Sequence, residues 1–256
     1  DGNSGNDGTI KEFGLSAEGL REQVRRTREL TTKPFAVNIG GAGGKDEIGK
    51  ARTEAIMRVI LEEKIPVVYT SGGSPEPLTK RLHEVGIKVV HIVVSVRHAK
   101  KAEAVGVDVI AVGGYEAGGH SAGVNEIPVL TLLPQVADVV STPLLAGGGI
   151  GDARGLIAAF ALGAEGIAMG TRFAATKESR LHPRIKQAIV EATDDATIVW
   201  GRKAEQFGVR PDRDIAKVVL GRGGGGLSRT YRNMFTDKYS NMESGETSLQ
   251  DLVDFV

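Results

Sequence analysis

The sequence predicts an α/β fold built around a parallel β-sheet. Short apolar runs rich in β-branched residues alternate along the chain with amphipathic helical patterns, the order expected of strand–helix–strand units. Each run is almost continuously apolar, as in parallel strands buried on both faces. Glycines gather directly after these runs, and there are 35 of them in 256 residues. Together these observations place most of the chain in one parallel α/β region.

The strands and helices can be located in order from these patterns. Strands are predicted at residues 35–39, 66–70, 88–94, 107–112, 142–146 and 166–169. Helices are predicted at residues 17–30, 47–64, 76–85, 96–105, 153–162 and 184–193. The residues that precede four of the helices are typical N-caps, whose side chains accept a free helix N–H: Ser16, Ser74, Ser95 and Asp152. Glycine is the usual residue after a helix, and Gly86, Gly106 and Gly163 end three of them.

Two segments have the same order of helix end, glycine, strand and glycine. They are residues 104–113 (AVGVDVIAVG) and 161–170 (ALGAEGIAMG). A repeated βα unit is typical of a barrel, with a doubly wound open sheet as the alternative. The alternation is lost in the last sixty residues, where helices are predicted at 228–241 and 248–256 and a glycine-rich loop at 221–226. We therefore expect a β/α barrel over residues 1–195 and a helical extension or lid over residues 196–256.

Composition excludes several classes of function. Thirty-two basic residues balance 32 acidic ones, so no charged field indicates a nucleic-acid partner. The absence of cysteine excludes disulfides, thiolate metal sites and cysteine nucleophiles, and it fits a cytoplasmic protein. No apolar stretch reaches the roughly 18 residues of a membrane helix. These features exclude the partners above but are compatible with a small-molecule ligand.

Five of the predicted strands are followed by glycines. The ligands of parallel α/β proteins bind at the carboxyl ends of strands, and glycine there lets backbone N–H groups approach them closely. Two such loops are suited to phosphate. One is Gly147–Gly151, which leads into a helix, and the other is Gly170 with Thr171 and the nearby Arg172. Turns alone would also explain any single pair of glycines.

His120 is the candidate for chemistry because it alone among the five histidines follows a strand-end glycine cluster. An imidazole in a loop at the ligand face can act as a base near neutral pH. Glu116 lies four residues before it, but two ligands do not make a metal site, and no metal is expected. Asn38, at a strand end, would either hydrogen-bond the edge of a ligand ring or cap the turn.

The ordered motifs resemble the nitronate monooxygenase family, formerly called 2-nitropropane dioxygenases. They are LTTKPFAVN at 30–38, YEAGGH at 115–120, PLLAGGGI at 143–150, ALGAEGIAMGTRF at 161–173 and TKES at 176–179. Flavin-dependent enoyl-acyl-carrier-protein reductases and some NAD(P)H:quinone reductases are relatives of this family. The resemblance covers residues 14 to 193.

The resemblance implies an FMN-binding TIM (β/α)8 barrel in which the six strands correspond to strands three to eight. The first two strands of such a barrel are not evident in the sequence. By the same resemblance, the residues that bind the cofactor would be Asn38, Gly118, Gly119, Gly148, Gly149, Gly170 and Thr171. His120 would lie near the flavin ring as a base or an orienting group. A homodimer is compatible with this assignment.

Several functions follow from these features. The first is oxidation of alkyl nitronates with O2, in which flavin accepts an electron from the bound nitronate. The alternatives on the same barrel are reduction of an enoyl thioester or a quinone, with NAD(P)H as co-substrate. A phosphosugar isomerase or lyase would have similar phosphate loops. The remaining hypothesis is a flavin- or phosphate-binding module without catalytic turnover.

Overall fold

The structure is a computed structural model, and it describes residues 17–40, 47–122, 127–179, 181, 183–194, 196–200 and 227–231. Its helices are α1 (Ala17–Leu30), α2 (Glu47–Glu62), α3 (Glu76–His83), α4 (Val96–Val105), α5 (Val129–Ala137), α6 (Ala153–Ala161), α7 (Thr171–Ala174) and α8 (Pro183–Glu191). Its strands are β1 (Ala36–Gly40), β2 (Val67–Ser71), β3 (Lys88–Val93), β4 (Val109–Gly113), β5 (Gly119–Ala122), β6 (Leu144–Gly147), β7 (Gly166–Ala168), β8 (Thr197–Trp200) and β9 (Leu227–Tyr231). Within this part of the chain, no helix combines the length and the apolar character needed to cross a membrane.

The predicted parallel α/β fold is confirmed. All six predicted strands are present, as are the six helices predicted between residues 17 and 193, with ends shifted by at most two residues. The parallel strands lie in the order β1-β2-β3-β4-β6-β7. The predicted strands at 107–112 and 142–146 begin two residues later in the structure, at Val109 and Leu144. The N–H of Val107 closes the end of α4 on Ala102 O, and that of Thr142 donates to the carboxylate of Glu103.

The described residues form two compact units that share β4. The first holds the described residues up to Val93 together with Arg97–Ala111 and Val140–Pro143. The second holds Val94–Val96, Val112–Val139 and the described residues from Leu144 onward.

In the first unit, β1, β2 and β3 pair in parallel, and alternate residues face the core. The register places Val37 beside Val68 and Val68 beside Val89, and all three are buried. Because successive strand residues point to opposite faces, Asn38 lies on the other face of β1, where it is exposed.

The side chain of Glu103 fixes the turn before β6. One of its carboxylate oxygens accepts hydrogen bonds from the N–H and hydroxyl groups of both Ser141 and Thr142, at 2.7 to 3.1 Å. The N–H of Ser141 makes the largest contribution to lowering the pKa of this carboxyl. A single carboxylate therefore connects helix α4 to the turn that leads into β6.

The second unit contains a small antiparallel sheet in the order β5-β9-β8. The prediction of a helix from residue 228 is wrong for residues 228–231, which are strand. They pair with β8, with Trp200 opposite Ser228 and Val199 opposite Arg229, and β9 pairs with β5 on its other side. Partners this distant in sequence override a local helical pattern. The predicted loop at 221–226, the rest of that helix and the helix at 248–256 lie outside the described residues.

Helix α5 was not predicted from the sequence. Its buried residues Val129, Leu132, Leu133 and Val136 recur at the i, i+3, i+4 and i+7 spacing of one helix face, but the apolar Leu130, which is exposed, obscures this stripe in the sequence. Pro134 inside it also indicates a break, because proline lacks the N–H that bonds the preceding turn. Packing of its apolar side chains outweighs that local preference.

A buried histidine lies in β3. The register places His91 opposite Thr70, and their exposed fractions are 5% and 0%. The hydroxyl of Thr70 lies 2.8 Å from Nδ1 of His91. Burial, with a smaller contribution from the neighbouring His98, lowers the pKa of His91 from 6.5 to about 4. The imidazole therefore stays neutral in the folded protein at pH values where an exposed histidine is charged.

We expect the protein to lose stability as the pH falls from 6.5 toward 4, in part through His91. In this window the unfolded state takes up a proton at position 91 and the folded state does not, so unfolding is favoured by up to about 3 kcal/mol. Urea unfolding at pH 7 and pH 4.5 should show a smaller pH effect in His91→Gln, whose side chain does not titrate. Equal pH effects in the two proteins would contradict the assignment.

Candidate functional site

The carboxyl ends of β4, β6 and β7 lie next to one another in the second unit. In the register of β6 and β7, Gly147 is opposite Ala168. The N–H of Gly114, directly after β4, donates to the carbonyl of Gly147 at 2.9 Å. The predicted glycine-rich strand ends are thereby brought to one edge of the sheet, which is the ligand-binding edge of parallel α/β proteins.

The loop after β4 lies so close to the loop after β6, and to the start of α5, that side chains do not fit at these contacts. A Cβ atom on Gly148 would lie 2.8 Å from the backbone nitrogen of Ala117, and one on Gly114 would lie 2.3 Å from that of Val129. Gly148 also has a φ of 102°, a left-handed conformation that other residues adopt at a cost. Both loops therefore depend on glycine for their shape.

The loop after β6 presents backbone donors that have no protein acceptor. In the part of the chain that the structure describes, the N–H groups of Gly148, Gly149 and Gly151 donate to no backbone or side-chain oxygen. Helix α6 begins directly after this loop, and the positive end of its dipole adds to the attraction for an anion. Free N–H groups at such a place are suited to accept phosphate or carboxylate as a ligand.

Asp152 caps α6, as predicted. Its carboxylate accepts the N–H of Arg154 at 2.9 Å and forms an ion pair with the guanidinium of the same residue at 2.5 Å. The hydrogen bonds with Arg154 lower the pKa of Asp152 from 3.8 to about 2. The negative charge at this helix end is therefore paired with a cation.

The second predicted phosphate loop, after β7, is open. Gly170 precedes helix α7 with a φ of −98°, and a Cβ added to it would meet no atom within 4 Å. The first N–H groups of a helix have no partner inside it, and here they belong to Thr171 and the residues that follow. Thr171 and Arg172 are exposed. The loop thus offers N–H groups, a hydroxyl and a nearby cation beside the loop after β6.

Glu116 caps helix α5 from outside the helix. Its carboxylate oxygens lie 2.9 and 3.3 Å from the N–H of Val129, the first residue of α5. The residue at the N-cap position is Pro128, whose side chain supplies no hydrogen bond. The sequence had suggested Glu116 only as half of a metal pair with His120. Among the described residues no group of three potential metal ligands is found.

His120 lies in a strand and not in the flexible loop that the sequence predicted. Strand β5 pairs antiparallel with β9, with Gly119 opposite Arg229 and Ala122 opposite Leu227. The structure describes the backbone of His120 and not the position of its side chain. The local glycines conceal this strand in the sequence, because its partner lies about a hundred residues later.

The structure therefore brings most of the predicted site residues into one unit. The second unit contains Gly118, Gly119, His120, Gly148, Gly149, Gly170 and Thr171. Asn38 belongs to the first unit, where it lies in β1 opposite Tyr69.

Comparison of the sequence with known proteins identifies one family to which it is similar. The sequence matches the family model for nitronate monooxygenase over residues 2–234. A probable nitronate monooxygenase from Staphylococcus aureus is 30% identical over 233 residues, with 77% of this chain covered. The chain spans 66% of the length of that relative.

Solved structures of the same fold include two similar enzymes. FabK from Thermotoga maritima superposes with a TM-score of 0.71 at 34% identity, covering 91% of this chain and 65% of FabK. A nitroalkane oxidase from Streptomyces ansochromogenes gives a TM-score of 0.61 at 26% identity, covering 68% of this chain and 60% of the oxidase. These similarities confirm the predicted TIM-barrel class of α/β fold.

Replacing Gly148 by alanine should destabilise the protein. The left-handed backbone and the contact with Ala117 each oppose a Cβ atom, and we expect a loss of about 1–3 kcal/mol in the free energy of unfolding. Gly151→Ala, in the same loop, is the matched control, because a Cβ at Gly151 meets no atom within 4 Å. Urea unfolding should find that control within about 0.5 kcal/mol of the wild type. Equal losses in the two variants would show that the close approach at Gly148 is not the cause.

Proposed function

Because the chain belongs to the nitronate monooxygenase family, we propose that it is an FMN-dependent oxidoreductase that oxidises alkyl nitronates with O2. The observation that carries the proposal is the set of unpaired N–H groups in the loop after β6, beside the open loop after β7. A dianionic phosphate of a flavin nucleotide matches this donor set, because backbone N–H groups and helix ends favour oxyanions.

The residues present fit an FMN phosphate. Gly148 and Gly149 supply N–H groups from one loop, and Gly170 and Thr171 supply N–H groups and a hydroxyl from the other. An added Cβ at Gly151 or at Gly170 would meet no atom within 4 Å, so the space next to both loops is open to a ligand. Gly118 and Gly119 would let the cofactor lie close to the backbone. The assignment of Asn38 as a flavin contact stays a prediction.

FMN, when bound, supplies the electron-transfer chemistry, and the chain supplies binding and orientation. In this proposal His120 lies near the flavin ring and orients the substrate or accepts a proton from it. An imidazole suits both tasks, because its ordinary pKa allows it to donate or accept a hydrogen bond near neutral pH. A nitronate is already an anion, so a donor at this position would hold it without first removing a proton.

A second candidate is reduction of an enoyl thioester by NAD(P)H, with a quinone as a further acceptor. The comparison of structures favours this candidate, because FabK is an enoyl-ACP reductase. FabK gives a TM-score of 0.71 at 34% identity, against 0.61 at 26% for the nitroalkane oxidase. Both candidates require the same phosphate loops, so the substrates must distinguish them.

The purified protein should be yellow or become so when FMN is added. Absorbance between 350 and 500 nm, recorded before and after desalting with FMN, tests this expectation. Anaerobic mixing with the nitronate formed by deprotonating a simple nitroalkane should then reduce the flavin and lower its visible absorbance. Bleaching by NAD(P)H, with turnover of an enoyl thioester and none of nitronate, would establish the second candidate instead. A protein without a flavin spectrum even after FMN addition would refute both.

Replacing His120 by alanine should preserve FMN binding and reduce turnover. Loss of an orienting or proton-accepting group lowers the rate by about 10²–10⁴-fold, while the phosphate donors are unchanged. Steady-state rates and the FMN dissociation constant should be measured together. His83→Ala is the control, since His83 Nε2 pairs with Asp108 at 2.8 Å in the first unit. A full rate in His120→Ala would remove His120 from the mechanism.

A further inference from the structure

We propose that Glu116 is a positioning residue that holds the loop after β6 in its phosphate-binding shape. This inference rests on the proposed FMN site and assigns to Glu116 a role in selecting the phosphorylated flavin. Glu116 contacts both the N-terminus of α5 and the loop after β6. Its loss should therefore weaken binding of the phosphate group without weakening binding of the flavin ring.

The first contact is with helix α5. The carboxylate of Glu116 accepts the N–H of Val129 at 2.9 Å, at a helix start where Pro128 offers no side-chain cap. This hydrogen bond also places a negative charge at the positive end of the α5 dipole, where it is stabilising. Because α5 packs through four buried apolar residues, it is a fixed anchor for the side chain.

The second contact is with the phosphate loop. A Cβ on Gly149 would lie 3.4 Å from both Cβ and Cγ of Glu116, so the stem of this side chain lies directly against the backbone of Gly149. Gly149 has a φ of 66° and Gly148 one of 102°. Two consecutive left-handed residues make a flexible segment unless neighbouring groups restrict it. Glu116 lies against this segment at Gly149, and the adjacent Ala117 lies against it at Gly148.

The turn that carries Glu116 is itself fixed to the same strand ends. The N–H of Gly114 donates to the carbonyl of Gly147, and the N–H of Ala117 donates to the carbonyl of Gly114. A single side chain thus connects the loop after β4, the helix that follows it and the phosphate loop.

The test compares FMN with riboflavin, which has the same ring and lacks the phosphate. Dissociation constants of both are measured for the apo-protein by quenching of flavin fluorescence, and the ratio of riboflavin to FMN constants reports the contribution of the phosphate. In Glu116→Ala we expect this ratio to fall about tenfold, since a buried donor is left unpaired and the loop loses its support. Glu116→Gln keeps the stem and an accepting oxygen, so it should retain the ratio to within about threefold.

Glu103→Ala is the matched control, because it also removes a carboxylate that accepts backbone N–H groups, but in the first unit. A general loss of stability would weaken binding of both flavins in both variants and leave the ratio unchanged. If Glu116→Ala does not fold, Glu116→Asp replaces it, because its shorter side chain does not span Gly149 and Val129 together. The ratio should then be lower in Glu116→Asp than in Glu116→Gln.

Three results would overturn the inference. A wild-type preference for FMN that survives unchanged in Glu116→Ala or Glu116→Asp would refute the role of Glu116 and leave the FMN site intact. An equal fall of the ratio in Glu103→Ala would make the effect nonspecific. A wild type that binds neither flavin would refute the proposed function together with this inference.

Discussion

The site depends on one close approach of backbone to backbone. Directly after β4 and β6 the chain comes so near itself that Gly114 and Gly148 have no room for a side chain. The hydrogen bond from Gly114 to Gly147 at 2.9 Å holds the two strand ends together at this point. The N–H groups of Gly148, Gly149 and Gly151 donate to no acceptor among the described residues, so they are available to a ligand.

Much of the parallel sheet follows from local sequence alone. Continuous apolar runs and helix caps such as Asp152 locate its strands and helices to within two residues. These signals suffice there because each apolar run, and each cap such as Asp152, lies in or directly beside the element that it indicates. The glycines at strand ends likewise indicate the ligand edge, since the topology of a parallel sheet places the carboxyl ends together.

The features that the sequence did not predict depend on distant partners. Strands β5 and β9 are stabilised by pairing with each other. Their local sequences instead indicate a loop around His120 and a helix around Arg229. The cap on α5 comes from Glu116, thirteen residues before the N–H that it accepts. No spacing rule for helix caps covers such a distance, because it is set by the fold and not by the helix. The chemical group of a site is thus easier to predict than the residues that hold it in place.

The pairing of β5 with β9 has a consequence for the order in which the protein assembles. Gly119 and Arg229 are separated by 110 residues, whereas neighbouring parallel strands such as β1 and β2 are about 30 residues apart in sequence. During synthesis the chain emerges from its N-terminal end, and closing a longer loop costs more entropy. The backbone on either side of His120 therefore acquires its strand partner late, after the ribosome has passed residue 231. A nascent chain that ends between residues 174 and 227 contains both proposed phosphate loops and the residues of β5, but not the strand β9 with which β5 pairs.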